Sequence, residues 1–322
     1  MKKILILFGG PSPEHTISCS SAKTILKNID YSRYDITTVG ITKENSWYIV
    51  PNTIPLNESW SNNTIKKITD IIPFLKTFDK VFPIIHGYPC ESGELLAFFQ
   101  LFNIPYIGST YSSSLISYDK DLTKTILSKH NIPQIPYITI KENKKIKNIP
   151  LEFPVIIKPA KSGSSIGINI ANNIKELNKY LKIAFNYDNK IIIEKYIKSR
   201  ELECAILSNK KLIISSIGEI RSSNQFYDYE AKYKKESSLI IPAKIPKELS
   251  QEIITLTKKI SNILSIKTLA RFDFLYDYHE DKLYFNEINT VPGFTNTSMY
   301  PLLFNYQGIT TKELINTLIE LV

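Results

Sequence analysis

The 322-residue chain reads as an α/β protein that passes to α+β in its C-terminal part. Two observations predict this. Near the N-terminus, short apolar runs end in small or polar residues and lead into helical patterns, the order of parallel strands joined by helices. From residue 194 onward the pattern becomes strand-rich. Residues 2–8, KKILILF, form a buried strand that ends at Gly9-Gly10 and feeds a helix over 18–29. A second apolar run, 80–85, ends in His86-Gly87, with a helix over 94–102 and a short strand at 105–107. Polar residues at strand ends place a site along one edge of this sheet, and Glu14 and His86 both fall there.

A second unit begins near residue 110. Its helix starts at Asp119, carries Lys120 and Lys124, and runs to the stop at Asn131-Ile132-Pro133. Residues 154–159 and 166–170 are extended runs bracketing KSGSSIG, a hairpin loop rather than the strand-to-helix turn of a P-loop. A helix over 174–185 and a strand over 190–193 complete it. The polar, tyrosine-containing stretch 222–238 is long enough to be a functional loop. The expected division is therefore 1–108, 109–193 and 194–322.

Composition narrows the function classes. At 43% hydrophobic the chain can fill two or three cores. The net charge of +9 comes almost wholly from lysines spread among Ile, Asn and Tyr, with only Arg33, Arg200, Arg221 and Arg271 as arginines. This is not the clustered footprint of nucleic-acid binding. No apolar run approaches the roughly 18 to 20 residues that span a bilayer, so a soluble cytoplasmic enzyme without a membrane partner is expected. Cys19, Cys90 and Cys204 have no paired spacing and read as free thiols.

The chemistry concentrates in residues 269–293. In ARFDFLYD, strand alternation sends Phe272 and Phe274 to one face and Arg271 and Asp273 to the other. A turn at 277–282 returns the chain through LYFNEIN, where Glu287 and Asn289 share a face by the same rule. The hairpin thus gathers Asp273, Glu287 and Asn289 beside Arg271. Three hard oxygen donors next to a cation suit Mg²⁺ carrying phosphate, although an ordinary polar sheet face would look similar. Lys120 and Lys158 precede the loop 162–167, whose backbone N–H groups and hydroxyls can fold over phosphates. Taken singly, each lysine could be a surface residue and the loop a plain turn. The run IIIEKYI ends a strand on Glu194, with Glu201 following, and such a segment can meet a nucleotide base and ribose. Glu14 could equally be an acid at a helix start, and His86 a structural hydrogen-bonding group.

Seven segments in order, FGGPSPEHTIS, HGYPCESGEL, GSTYSSSLISYDK, FPVIIKPAKSGSSIGI, IIIEKYI, FYDYEAKY and NEINTVPGFTNTSMYP, cover essentially the whole chain. Together they resemble the D-alanine:D-alanine ligase family of the ATP-grasp superfamily. The resemblance implies an ATP-grasp fold behind a Rossmann-like parallel sheet. It implies ATP and two Mg²⁺ ions, replaceable by Mn²⁺, with D-alanine as substrate and a homodimer as the assembly. It implies phosphate contacts from Lys120, Lys158 and the Ser164 loop, and adenosine contacts from Glu194, Lys195, Ile197 and Glu201. The ions would sit on Asp273, Glu287 and Asn289, and the oxyanion on Arg271 and the N–H of Gly293. Glu14, with His86 nearby, would hold the first D-alanine, and Lys232 and Ser298 the carboxylate of the second. Tyr233 and Ser164 would tie the 222–238 lid to Glu14.

The chain departs from the family pattern at Ser92 and Ser162, where acidic residues are usual. These changes bear on how the first subsite is braced and on loop closure. Tyr233 favours an amine as the second nucleophile. Two rival readings are an ATP-grasp ligase taking another second substrate, such as D-lactate, and a nucleotide-binding regulator without catalysis. A dinucleotide oxidoreductase fits worse, since GGPSPE lacks G-x-G-x-x-G.

Overall fold

The computed structural model describes residues 1–322 except 55, 58, 64, 143, 209–210, 222–237 and 322. Strand β1 (Lys2–Gly9) is buried from Ile4 onward and lies parallel to β2 (Tyr34–Ile41) on one side and β5 (Lys80–Pro83) on the other. A strand hidden on both faces needs a continuous apolar run, which is what KKILILF supplies. The antiparallel strands β3 (Trp47–Ile49) and β4 (Lys66–Lys67) extend the sheet in the order β4-β3-β2-β1-β5. Gly9 and Gly10 both have φ +90°, and a Cβ at Gly9 would stand 2.3 Å from the Ile41 carbonyl oxygen. Only glycine allows the turn that carries the chain from β1 to helix α1 (His15–Asn28). The strand expected at 105–107 is reduced to a single parallel bridge, Val81 to Tyr106. Pro105 accepts from the Val81 amide but has no N–H to extend the ladder.

After the short helices α2 (Ile71–Leu75) and α3 (Glu94–Leu101), α4 (Tyr111–Tyr118) leads into α5 (Lys120–Ser128). The Asp119 side chain caps α5 by accepting from the Asp121 and Leu122 amides. Strands β6 (Tyr137–Ile140), β7 (Val155–Pro159), β8 (Asn169–Ala171) and β9 (Ile191–Lys195) form an antiparallel sheet in the order β6-β9-β7-β8. Helix α6 (Ile174–Ala184) packs against β7 and β8 through Leu177, Leu181 and Ala184. The β7–β8 hairpin around the Gly/Ser loop is as the sequence predicts, with β8 starting three residues later.

The third sheet joins β10 (Arg200–Ser208), β11 (Leu212–Arg221), β12 (Ser238–Ile240), β13 (Thr268–Asp277) and β14 (Lys282–Asn289) in the order β12-β11-β10-β13-β14. The strand-rich expectation for this part is incomplete. It also contains α7 (Lys247–Ile263), α8 (Met299–Tyr306) and α9 (Thr311–Glu320). Helix α7 buries Leu249, Ile253, Thr257 and Ile260, a helical spacing present in the sequence. Helices α8 and α9 share one core with the N-terminal sheet, where Phe82 meets Phe294 edge to face and Lys80 Nζ donates to the Ile319 carbonyl. No helix among the described residues is long and apolar enough to cross a membrane.

Candidate active site

The hairpin β13–β14 carries the densest charge. Its register sets Arg271 opposite Asn289 and Asp273 opposite Glu287, while Phe272 and Phe274 are fully buried on the other face. The alternation read from ARFDFLYD holds from Arg271 to Phe274, and Glu287 and Asn289 share a face as expected. The strict period of LYFNEIN is broken by a bulge at Asn286, since Glu287 pairs with Asp273 and Phe285 with Phe274. Arg271 grips Asp273 with two parallel hydrogen bonds, Nε to Oδ1 and Nη2 to Oδ2, both 2.7 Å. Its Nε also lies 3.0 Å from Glu203 Oε2. Burial opposes the charge on Arg271, but Asp273 and Glu203 more than offset it and hold its pKa well above the usual value. Asn289 Nδ2 donates to Asp273 Oδ2 at 3.1 Å, so its carbonyl oxygen is the atom it has left to offer a cation. Glu203, which pairs with Asp273 across β10–β13, was not singled out from sequence. Its signal was present, since it lies two residues from Glu201 on one strand face.

Next to the hairpin lies a triad of buried charges. Glu194 bridges Lys124, at 2.7 Å, and Lys158, at 2.5 Å, and is 1% exposed. Burial raises the Glu194 carboxyl, yet the two ammonium groups outweigh it and hold the pKa down at about 2. Lys124 sits one helical turn beyond Lys120 on the same face of α5. Lys120 Nζ reaches the Ser162 carbonyl at 2.7 Å and Glu287 at 3.2 Å, tying α5 to the Gly/Ser loop and the hairpin together. Lys158 also approaches Asn286 at 3.4 Å.

The loop itself is bent back over the site. Ser164 and Ser165 have positive φ values of 50° and 58°. The Ser164 hydroxyl donates to Glu14, which lies just before α1. A Cβ on Gly163 would stand 2.8 Å from Glu14 Oε2, so glycine is what lets the loop approach that carboxylate.

Two cavities meet across this loop. One is lined by Lys120, Lys158, Ser164, Glu194, Lys195, Ile197, Glu201, Asp273 and Glu287. The other is lined by Glu14, His86, Ser164, Arg271, Glu287, Asn289, Gly293 and Ser298. Ser164, Glu203 and Glu287 face both. Every sequence-predicted site residue within the described residues borders one of the two; Lys232 and Tyr233 lie outside the described residues. Around the second cavity, His86 has both ring nitrogens engaged, Nδ1 with the Val291 carbonyl at 2.7 Å and Nε2 with Ser21 Oγ at 3.0 Å. Burial lowers its pKa, which favours the neutral ring. Glu91, buried near Glu14, is pushed up to about 7, with burial as the main cause.

The donor set fits a hard divalent cation with phosphate: carboxylates Asp273 and Glu287, the Asn289 amide, and flanking cations that would otherwise compete for them. No cluster of three His, Cys, Asp or Glu side chains stands ready for a metal among the described residues, consistent with a set that includes an amide.

Comparison with known proteins shows the family. Residues 3–109 match the family model "D-ala D-ala ligase N-terminus", and residues 126–320 match "D-ala D-ala ligase C-terminus". A D-alanine–D-alanine ligase of Caldicellulosiruptor bescii is 41% identical, with 99% of this chain and 94% of that protein covered. Among solved structures, the VanG D-Ala:D-Ser ligase from Enterococcus faecalis superposes with a TM-score of 0.88 at 31% identity, covering 99% of both chains. The D-alanine–D-alanine ligase from Coxiella burnetii superposes at 0.81 with 28% identity, covering 100% of this chain and 95% of that one. With both family models matched in order and a relative alike over its full length, the chain belongs to the D-alanine–D-alanine ligase family, whose fold is the ATP-grasp fold.

Proposed function

We propose that this enzyme joins two D-alanine molecules into D-alanyl-D-alanine, using ATP and releasing ADP and phosphate, as a cytoplasmic step toward peptidoglycan. The observation that supports the reading is the bridge from Ser164 to Glu14, which joins the Gly/Ser loop to the carboxylate proposed here to hold the amino-acid substrate. Phosphoryl transfer and acyl transfer then occur in adjoining cavities.

A carboxylate resists attack by an amine because it is negatively charged and oxide is a poor leaving group. Transfer of the γ-phosphoryl group to one carboxylate oxygen removes both obstacles. Lys120 and Lys158 supply point charges for the phosphates, and Glu194 holds Lys158 in place through an ion pair. Lys195, Ile197 and Glu201 line the part of the cavity assigned to adenosine. Asp273, Glu287 and Asn289 would hold Mg²⁺, which when bound neutralises charge on the phosphates. Glu14 pairs with the ammonium group of the first D-alanine, and His86 closes the floor of that subsite. Ser298, with Lys232, receives the carboxylate of the second. That second molecule attacks the acyl carbon as a free amine. Arg271 and the Gly293 N–H stabilise the oxyanion that forms, and phosphate leaves with the former carboxylate oxygen. Closure of the Ser164 loop, together with Tyr233, excludes water from the acyl phosphate.

The test is direct. Purified protein with ATP, Mg²⁺ and D-alanine should release one phosphate per dipeptide formed. Replacing the second substrate by D-lactate or D-serine should give slower coupling. No D-alanine-dependent phosphate release would overturn the proposal.

A further inference from the structure

Helix α1 turns a buried polar stripe toward the site. Ser18 and Ser21 lie four and seven residues after Glu14, so all three fall on one helical face. Both serines are fully buried. A helix face packed on a sheet is ordinarily apolar, and a buried hydroxyl is tolerated only when its hydrogen bonds are made. Ser18 makes its bonds within the N-terminal sheet, donating to the Ile84 carbonyl and accepting from the Gly9 amide. Ser21 makes its bonds elsewhere: it accepts from the Phe294 amide at 3.0 Å and contacts His86 Nε2 at 3.0 Å.

The donors can be assigned. The Val291 carbonyl only accepts, so His86 Nδ1 carries the proton and Nε2 is left to accept from the Ser21 hydroxyl. A continuous chain results, from the Phe294 N–H through Ser21 and the His86 ring to the Val291 carbonyl. Glu91 completes it by accepting from the Val291 amide at 3.0 Å and the Gly87 amide at 2.8 Å. Three side chains from the N-terminal unit thereby fix both ends of the segment 291–294. Gly293 sits inside that segment, flanked by clamped backbone on each side.

We propose that Ser21 is a positioning residue for ligation, holding the Gly293 amide at the oxyanion through a clamp shared with His86 and Glu91. The inference rests on the ligase reading above, since it assigns an effect to the acyl-transfer step. An oxyanion donor acts only if its direction is set before the charge develops, and the clamp sets it. Ser21 itself touches no substrate.

The experiment compares Ser21→Ala with Ser18→Ala in the full chain. Both delete a buried hydroxyl from the same helix face, so a general packing or stability effect should appear in both. Ser21→Ala should lower kcat about 10- to 100-fold, the range for partners that orient a functional group. Its KM for ATP should stay within about twofold, equivalent to about 0.4 kcal/mol. Ser18→Ala should keep a kcat near wild type. Hydrogen exchange of the Phe294 amide should accelerate in Ser21→Ala and not in Ser18→Ala. Equal kcat losses in the two variants, or unchanged kcat despite a faster-exchanging Phe294 amide, would overturn the proposal. Should Ser21→Ala fail to fold, Ser21→Cys keeps the size and weakens the hydrogen bond; wild-type kcat in that variant would also overturn it. Absence of ligation by the wild-type enzyme would instead count against the function, while the exchange measurement would still report on the clamp.

Discussion

Glu194 shows how a single carboxylate can organise a nucleotide site. It lies between two lysines with almost no solvent, and replacing it by Gln leaves Lys124 and Lys158 buried without a counter-charge. Glu194→Gln should therefore destabilise the protein by about 3 to 5 kcal/mol in urea unfolding, the cost of breaking a buried ion pair. A loss below about 1 kcal/mol would contradict this, being the size expected of an exposed pair. The sign with pH follows from the depressed carboxyl. The folded state holds it at about 2 whereas a free glutamate titrates near 4.5, so its contribution is complete above about 4.5 and is lost as pH falls toward 2. Acid unfolding of Glu194→Gln should accordingly be shallower across that window. At this scale the sequence was legible where residues alternate on one strand, as with Arg271, Asp273, Glu287 and Asn289. Lys124 was placed on its helix without a role and Ser21 was not singled out, because a lysine or serine on a helix gives no sign of burial until its neighbours from distant segments are in place.

Among the elements, the Gly/Ser loop depends on one small residue. Gly163→Ala would drive a methyl group to 2.8 Å from Glu14 Oε2, so either the loop or the carboxylate must move. Since Glu14 is the proposed ammonium partner, kcat/KM for D-alanine should fall about tenfold, equivalent to 1.4 kcal/mol, with the thermal midpoint little changed. An unchanged kcat/KM would separate loop closure from substrate binding. The β7–β8 and β13–β14 hairpins were readable because strand, turn and return strand are contiguous. Helices α4 and α7 were not read: the serine-rich α4 has a weak apolar period, and α7 follows segments whose strand pattern dominated the reading.

At the scale of the whole molecule, the last two helices complete the first sheet. Leu318 and Ile319 are fully buried in the same core as Ile4 and Phe82, a contact between chain ends that no local pattern announces. Trp47 and Trp60, the only two tryptophans, both lie in the N-terminal part of that core and report on it. Leu318→Ala should lower the tryptophan-detected stability by about 2 to 5 kcal/mol. A wild-type midpoint from the same signal would show that α9 is not part of that core. This arrangement brings α1, the loop 162–167 and the β13–β14 hairpin together, so that activation and ligation can share one enclosed space. The most direct test of that account follows an oxygen atom. With D-alanine labelled by oxygen-18 in its carboxylate, the enzyme should transfer one labelled oxygen into inorganic phosphate for each dipeptide made. Unlabelled phosphate alongside dipeptide would contradict an acyl phosphate and the mechanism built on it.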